Sequence, residues 1–234
     1  MKNSTKEIIN EINTYRDESK AAFLPRFFKT GKGEYGEGDQ FIGVVVPNLR
    51  IVAKKHFDAD FDTLRELLAS PYHEYRLTAL LALTYRYAKL KDHTSRETCV
   101  NFYVSQVDAI NNWDLVDLSC YKILGHWLFD KDKQLLYDWA KENHLWKQRI
   151  AMISCMHFVK QGEFKDALAI ADLLQHHPHD LIHKAVGWIL REIGKEDEQL
   201  LVDYLTPRYK EMPRTMLRYA IERFEEGKRK AFLN

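Results

Sequence analysis

A chain of 234 residues with 45% hydrophobic content can bury a sizeable core, as one large domain or a short repeat array. With 35 basic and 34 acidic residues the formal charge is +1, so bulk charge gives no support to a nucleic-acid partner and only a segregated distribution could restore one. The opening MKNSTKEIINEI lacks an apolar h-region and no later run approaches a membrane span, so a cytoplasmic protein without a membrane partner is expected.

In chain order, residues 3–23 read as one amphipathic helix, with Ile8, Ile9, Ile12, Tyr15, Ala22 and Phe23 at helical spacing. From Phe27 to Phe41, glycines at 31, 33, 36 and 38 argue for a loop. The spacing invites a phosphate-loop reading, but there is no GK[ST] ending and no preceding buried strand. Ile42 to Val46 has the length of a strand, yet Pro47 at a first helical position makes it the lead-in to the helix NLRIVAKKHF.

From about residue 60 the chain falls into pairs of helical segments. DFDTLRELLAS precedes YHEYRLTALLALTYRYAKL, and SRETCVNFYVSQVDAI precedes WDLVDLSCYKILGHWLF. KQLLYDWAKENH precedes LWKQRIAMISCMHFVKQ, FKDALAIADLLQHHPHD precedes LIHKAVGWILREIGK, and EQLLVDYLTPRYKEMP precedes RTMLRYAIERFEEG. A marker in the second helix of each pair (Arg76, Asp117, Arg149, Lys184, Arg218) recurs after 41, 32, 35 and 34 residues. That period belongs to helical-pair repeats, and no ankyrin-like TPLH turn is present. The expected fold is all-α, a superhelical solenoid of HEAT-like helical pairs, with residues 1–234 as one domain: N-terminal helices and the glycine-rich loop over 1–58, repeats over 59–234. In such a fold the second helices line one concave surface.

The stretch NNWDLVDLSC, Asn111 to Cys120, holds the densest chemistry. Asn111 or Asn112 is a natural N-cap, which places Asp114 in the first turn as a dipole-compensating acid. Trp113 and Asp117, four apart, share a face with Cys120, Tyr121 and Leu124, and a carboxylate among such neighbours needs a reason.

Charge segregates by helix. In Asp180–Lys195, Ile182, Val186, Leu190 and Ile193 form the core stripe, while Lys184, Trp188, Arg191 and Lys195 form a basic stripe with an aromatic in it. Arg214 and Arg218 share a face, as do Arg50 and Lys54, and Arg149 interrupts the apolar run WKQRIAMI. The acids Asp62, Glu66, Asp138, Glu142, Asp166, Asp172 and Asp203 sit in or beside first helices. A neutral chain could thus present a basic concave groove to phosphates.

A basic stripe is usually only a solvated face, but it recurs here across several helices. Trp127, Trp139 and Trp146 read as core or inter-repeat packing; Trp113 and Trp188 differ in sitting on polar faces. His179 and His183 have zincin spacing, but the motif reads HDLIH and no further carboxylate ligand is placed, so no metal and no cofactor are expected. Cys99, Cys120 and Cys155 read as buried thiols of a reducing compartment.

The blocks FFKTGKGEYGEGDQFIGVVVPNLR, NNWDLVD, LWKQRIA, HKAVGWILREIGK and PRTMLRYAIERF together resemble the AlkD-type DNA alkylation repair glycosylases, over nearly the whole chain from about residue 20. The resemblance implies excision of N3- and N7-alkylated purines from double-stranded DNA, and an array acting on a duplex can work as a monomer. It assigns the catalytic acid to Asp117, aromatic platforms to Trp113 and Trp188, and the active-site arginine to Arg149. Arg50, Lys54, Arg76, Lys184, Arg191, Lys195, Arg214 and Arg218 are the expected DNA-binding cations. The fold alone leaves open a different reading, a non-catalytic scaffold for a protein or a DNA structure.

Overall fold

The computed structural model describes residues 4–234, and among them the regular structure is helical, apart from one isolated β-bridge between Gln40 and Tyr72. The chain divides into two compact units, Met1–Ile123 and Leu124–Asn234.

The first unit contains α1 (Thr5–Asn13), α2 (Glu18–Phe27), α3 (Val46–Lys55), α4 (Phe61–Leu68), α5 (His73–Lys89), α6 (His93–Ser105) and α7 (Trp113–Asp117). Ser4 caps α1 in a reciprocal box with Glu7, and Asp17, Asp60 and Asp92 each accept a first-turn backbone N–H. The single helix expected over residues 3–23 is therefore two. Asp17 breaks it by capping α2 in an extended conformation, while its own N–H donates to the Ile42 carbonyl at 3.1 Å. That close passage requires Gly43: its φ is +81°, and a Cβ there would lie 1.9 Å from the Asp17 carbonyl oxygen. Residues 42–44 are held from the other side by Glu74, whose Oε1 accepts their three N–H groups at 2.8 to 3.3 Å. The lead-in before Pro47 is thus irregular chain pinned by a buried carboxylate.

Helices α3 and α4 pack on α5, which is buried on nearly every side from His73 to Thr84. Apolar residues fill most of it, but His73, Glu74 and Arg76 are 2%, 2% and 5% exposed. Charges buried this deeply must be paired.

The second unit contains α8 (His126–Leu128), α9 (Gln134–Lys141), α10 (Leu145–Ser154), α11 (Met156–Val159), α12 (Lys165–Leu174), α13 (Asp180–Glu196), α14 (Glu198–Leu205), α15 (Arg214–Ala220) and α16 (Glu226–Leu233). The expected pairs are present as α9 with α10 and α12 with α13, whereas α14 and α15 both pack on α13. Two expected continuous second helices are interrupted. WDLVDLSCYKILGHWLF forms α7, a π-helical stretch Tyr121–Gly125, and α8, while α10 and α11 meet at Cys155.

The core stripe of α13 is as expected: Ile182, Val186, Leu190 and Ile193 are fully buried. Tyrosine–carboxylate bonds join successive first helices, Tyr137 donating to Asp166 at 2.7 Å and Tyr204 to Asp172 at 2.8 Å. Among the tryptophans expected inside, Trp139 and Trp146 are buried, whereas Trp127 is half-exposed beneath the Lys131 ammonium.

Helices α13 and α15 approach so closely that a Cβ on Gly187 would lie 2.5 Å from both the Met216 carbonyl oxygen and the Tyr219 Cβ. Gly187→Ala is expected to destabilise the protein by about 1–3 kcal/mol through overpacking, although alanine is the better helix former. A urea titration with unchanged or increased stability would refute the close packing.

Candidate active site

The site is built on α7. Val107–Ala109 forms a single 3-10 turn, after which Asn112, fully buried, caps α7 by accepting the Trp113 N–H at 2.9 Å. Trp113 opens the helix and Asp117 closes it, and both are half-buried. The Trp113 indole stacks on Phe28 at 5.5 Å between centroids and meets Phe27 edge-on at 6.0 Å. One face of the indole is thus fixed by protein. Beneath α7, burial pushes the Tyr103 hydroxyl well above its ordinary pKa, and the neighbouring Cys120 and Asp117 add to that.

Behind Trp113 lies a cluster of buried charge. Asp114 is 4% exposed and its Oδ2 lies 2.9 Å from His73 Nε2. His73 Nδ1 makes an ionic contact with Asp39 at 3.5 Å, and Arg76 pairs with Asp39 at 2.7 Å. Asn111 closes the cluster, donating to Asp39 at 2.8 Å and accepting from Arg76 at 3.1 Å. Burial alone would depress the His73 pKa, but the charge and hydrogen bond of Asp114, helped by Asp39, hold it up at about 9. Asp39 is raised by its burial, yet His73, Arg76 and Asn111 bring it below the ordinary carboxylate range. Two cations and two anions therefore balance inside the first unit.

Two expectations give way here. Asp114 is a buried ion-pair partner, because its side chain turns inward onto His73, and not merely a first-turn acid compensating the helix dipole. Arg76, expected on a phosphate, is buried with its guanidinium on Asp39, Asn111 and the Ser70 carbonyl. The residues the sequence reading missed are His73, Asp39 and the Phe27–Phe28 pair. The available signal was the polar triplet His73, Glu74 and Arg76 opening an otherwise apolar helix.

In the second unit, Arg149 is 4% exposed on α10, and its Nη1 donates to the Leu181 carbonyl at the start of α13. That bond ties the two helices, and Arg149, expected on a phosphate, is buried between them. On α13, Trp188 is half-buried and lies off the core stripe, as do Lys184, Arg191 and Lys195. The stripe is less basic than its sequence suggests. Lys184 pairs with Asp180 at 2.7 Å, Lys195 with Glu192 at 2.7 Å, and Arg191 with Glu222. Such exposed pairs are weak and can exchange partners. Arg214 and Arg218 are exposed on α15, Arg214 donating to the Leu233 carbonyl at 2.6 Å; in the first unit Arg50 is half-buried and Lys54 exposed on α3. The histidine cluster is occupied by backbone: His179 Nδ1 accepts from the Leu181 N–H at 3.1 Å, and His183 Nε2 meets the His177 carbonyl. Among the described residues no group of three metal-ligating side chains assembles.

Because the His73 pKa is raised on folding, its pairing stabilises the native state fully below the unfolded value near 6.5, and that contribution is lost as pH rises through about 9. Melting curves from pH 7 to 10 are expected to fall more steeply for wild type than for His73→Gln. Parallel profiles would refute a charged His73.

The sequence model of the family described as DNA alkylation repair enzyme matches residues 8–224. Among solved structures, a predicted DNA alkylation repair enzyme from Enterococcus faecalis superposes with a TM-score of 0.69 at 14% identity, over 90% of this chain and 97% of that one. AlkD2 from Streptococcus mutans superposes with a TM-score of 0.55 at 15% identity, over 89% of this chain and 99% of that one. No curated protein sequence matches the chain. At these identities the two structures establish the fold, and the match across residues 8–224 establishes the lineage: the chain belongs to the DNA alkylation repair enzyme family.

Proposed function

We propose that this protein is a monofunctional DNA glycosylase that hydrolyses the N-glycosidic bond of cationic N3- and N7-alkylated purines in duplex DNA, acting as a monomer. The observation that carries the reading is α7, where Trp113 and Asp117 reach solvent at the two ends of a short helix anchored from behind by the His73–Asp114 pair, in a chain of the DNA alkylation repair family.

The chemistry explains why one carboxylate suffices. An alkylated purine already carries positive charge and departs as a neutral base, so no general acid is required, whereas ordinary glycoside hydrolysis uses a pair of carboxyl groups. Asp117 stabilises the oxocarbenium-like sugar and orients the attacking water. Trp113 and Trp188 offer aromatic faces to the sugar–phosphate backbone and the cationic nucleotide. Arg149 acts as a positioning residue, fixing the start of the helix that carries Trp188. Arg50, Lys54, Lys184, Arg191, Lys195, Arg214 and Arg218 supply phosphate contacts. Selectivity then follows lesion charge, favouring cationic adducts over neutral bases such as uracil.

Release of 7-methylguanine or 3-methyladenine from methylated duplex is the direct test, with Asp117→Asn expected to lose at least about 100-fold in rate. Equal background release by wild type and variant would refute catalysis. If duplex binding nevertheless stays salt-sensitive, the non-catalytic DNA scaffold becomes the better description. Replacing Arg50 and Lys54 together by alanine is expected to make the slope of log affinity against log salt shallower by about 2. An unchanged slope removes α3 from the DNA-binding surface.

A further inference from the structure

The first unit encloses a half-open cavity of about 190 Å³ that the chemistry above does not use. Its walls are apolar, contributed by Leu24 of α2, Phe28 and Phe41, Val44 before α3, Leu49 of α3 and Leu77 of α5. Phe28 and Phe41 are stacked on each other at 5.1 Å, and Phe28 also carries Trp113. A purely apolar hole of about 150 Å³ accepts benzene, so this volume suits one or two fused rings. A nucleotide is too large.

The polar part of the lining is unusual. Glu74 and Asp114, 2% and 4% exposed, both line the cavity, and each keeps one carboxyl oxygen, Oε2 and Oδ1, without a hydrogen-bond partner. Their other oxygens are committed, Glu74 Oε1 to the N–H groups of residues 42–44 and Asp114 Oδ2 to His73. Buried polar atoms left unmatched cost stability and are found paired in most folded proteins. We infer that this cavity is a binding site for a small planar nitrogen heterocycle of one or two rings, whose edge offers an N–H to the buried carboxyl oxygens while its faces lie against the aromatic and aliphatic walls. Burial pushes the Glu74 carboxyl up, toward the form that also donates, which suits an edge carrying both an N–H and a ring nitrogen. Lys20 and His73 complete the polar lining. The inference stands whether or not the protein cleaves DNA, since none of the groups assigned to cleavage lines the cavity.

Benzimidazole is the probe, with indene as the same two-ring shape lacking nitrogen. Titration of the full chain, followed by calorimetry and by methyl chemical shifts, is expected to show saturable benzimidazole binding that moves Val44, Leu49 and Leu77. Indene is expected to bind at least about tenfold more weakly, the loss of one good hydrogen bond to a charged or polar group. Leu24→Trp, at a half-exposed wall position, fills the cavity and is expected to abolish binding while leaving the melting temperature near that of wild type. No saturable binding at millimolar benzimidazole overturns the site. Equal binding of indene reduces the site to an apolar hole and overturns the heterocycle assignment, and binding that survives in folded Leu24→Trp, or shifts confined to methyl groups other than those of Leu24, Val44, Val45, Val46, Leu49 and Leu77, places the ligand elsewhere and overturns it too.

Discussion

The first unit depends on how it neutralises charge inside a helix that is buried all round. Helix α5 has α3 and α4 against it, and its opening turns carry His73, Glu74 and Arg76 into the interior. Each finds a partner from a different segment: Asp114 and Asp39 for His73, the backbone of residues 42–44 for Glu74, and Asp39 with Asn111 for Arg76. Removing one member of such a set leaves an uncompensated buried charge, typically costing about 3–5 kcal/mol. The pairing therefore dictates where the glycine-rich loop, the irregular lead-in and α7 sit relative to α5.

This arrangement has a functional consequence. A helix of five residues has little stability of its own, since nucleating one turn costs more than its few hydrogen bonds return. Asn112 caps α7 and Asp114 anchors it, so Trp113 and Asp117 are presented by a segment whose position is set by ion pairs rather than by length. The platform under Trp113 comes from Phe28, just after α2, and the fold thereby brings the N-terminal helices to the candidate site. The second unit uses a different device. Gly187 permits close contact of α13 with α15, and Arg149 holds the start of α13, so Trp188 rides on a helix fixed at two points.

Periodicity made the helical pairs readable because each second helix must bury one stripe, and α13 shows this directly in Ile182, Val186, Leu190 and Ile193. The five marker positions fall in second helices for the same reason. Apolar spacing is blind to breaks whose cause lies far away in sequence. Asp17 splits the first helix because residues 42–43 pass beside it, and periodicity alone did not reveal the π-helical stretch Tyr121–Gly125 within an unbroken apolar pattern. Spacing is equally blind to the fate of a cation, since an arginine on a second helix can be a phosphate ligand or a core ion pair with the same spacing.

Local periodicity and capping are enough for the helical class, for most of the helix pairing and for setting Trp113, Asp117 and Trp188 off the core stripes. What the tertiary structure adds is the inward turn of Asp114. Capping puts that acid in the first turn, three residues before Asp117, but nothing local draws its side chain into the interior. Helix α5 does: it places His73 within 2.9 Å of Asp114, so that acid is drawn inward as a counter-ion while Asp117 remains half-buried at the end of α7. Within each unit packing also withdrew an arginine from the surface, Arg76 onto Asp39 and Arg149 onto the Leu181 carbonyl, since a partner tens of residues away is invisible to spacing yet decisive for a buried charge.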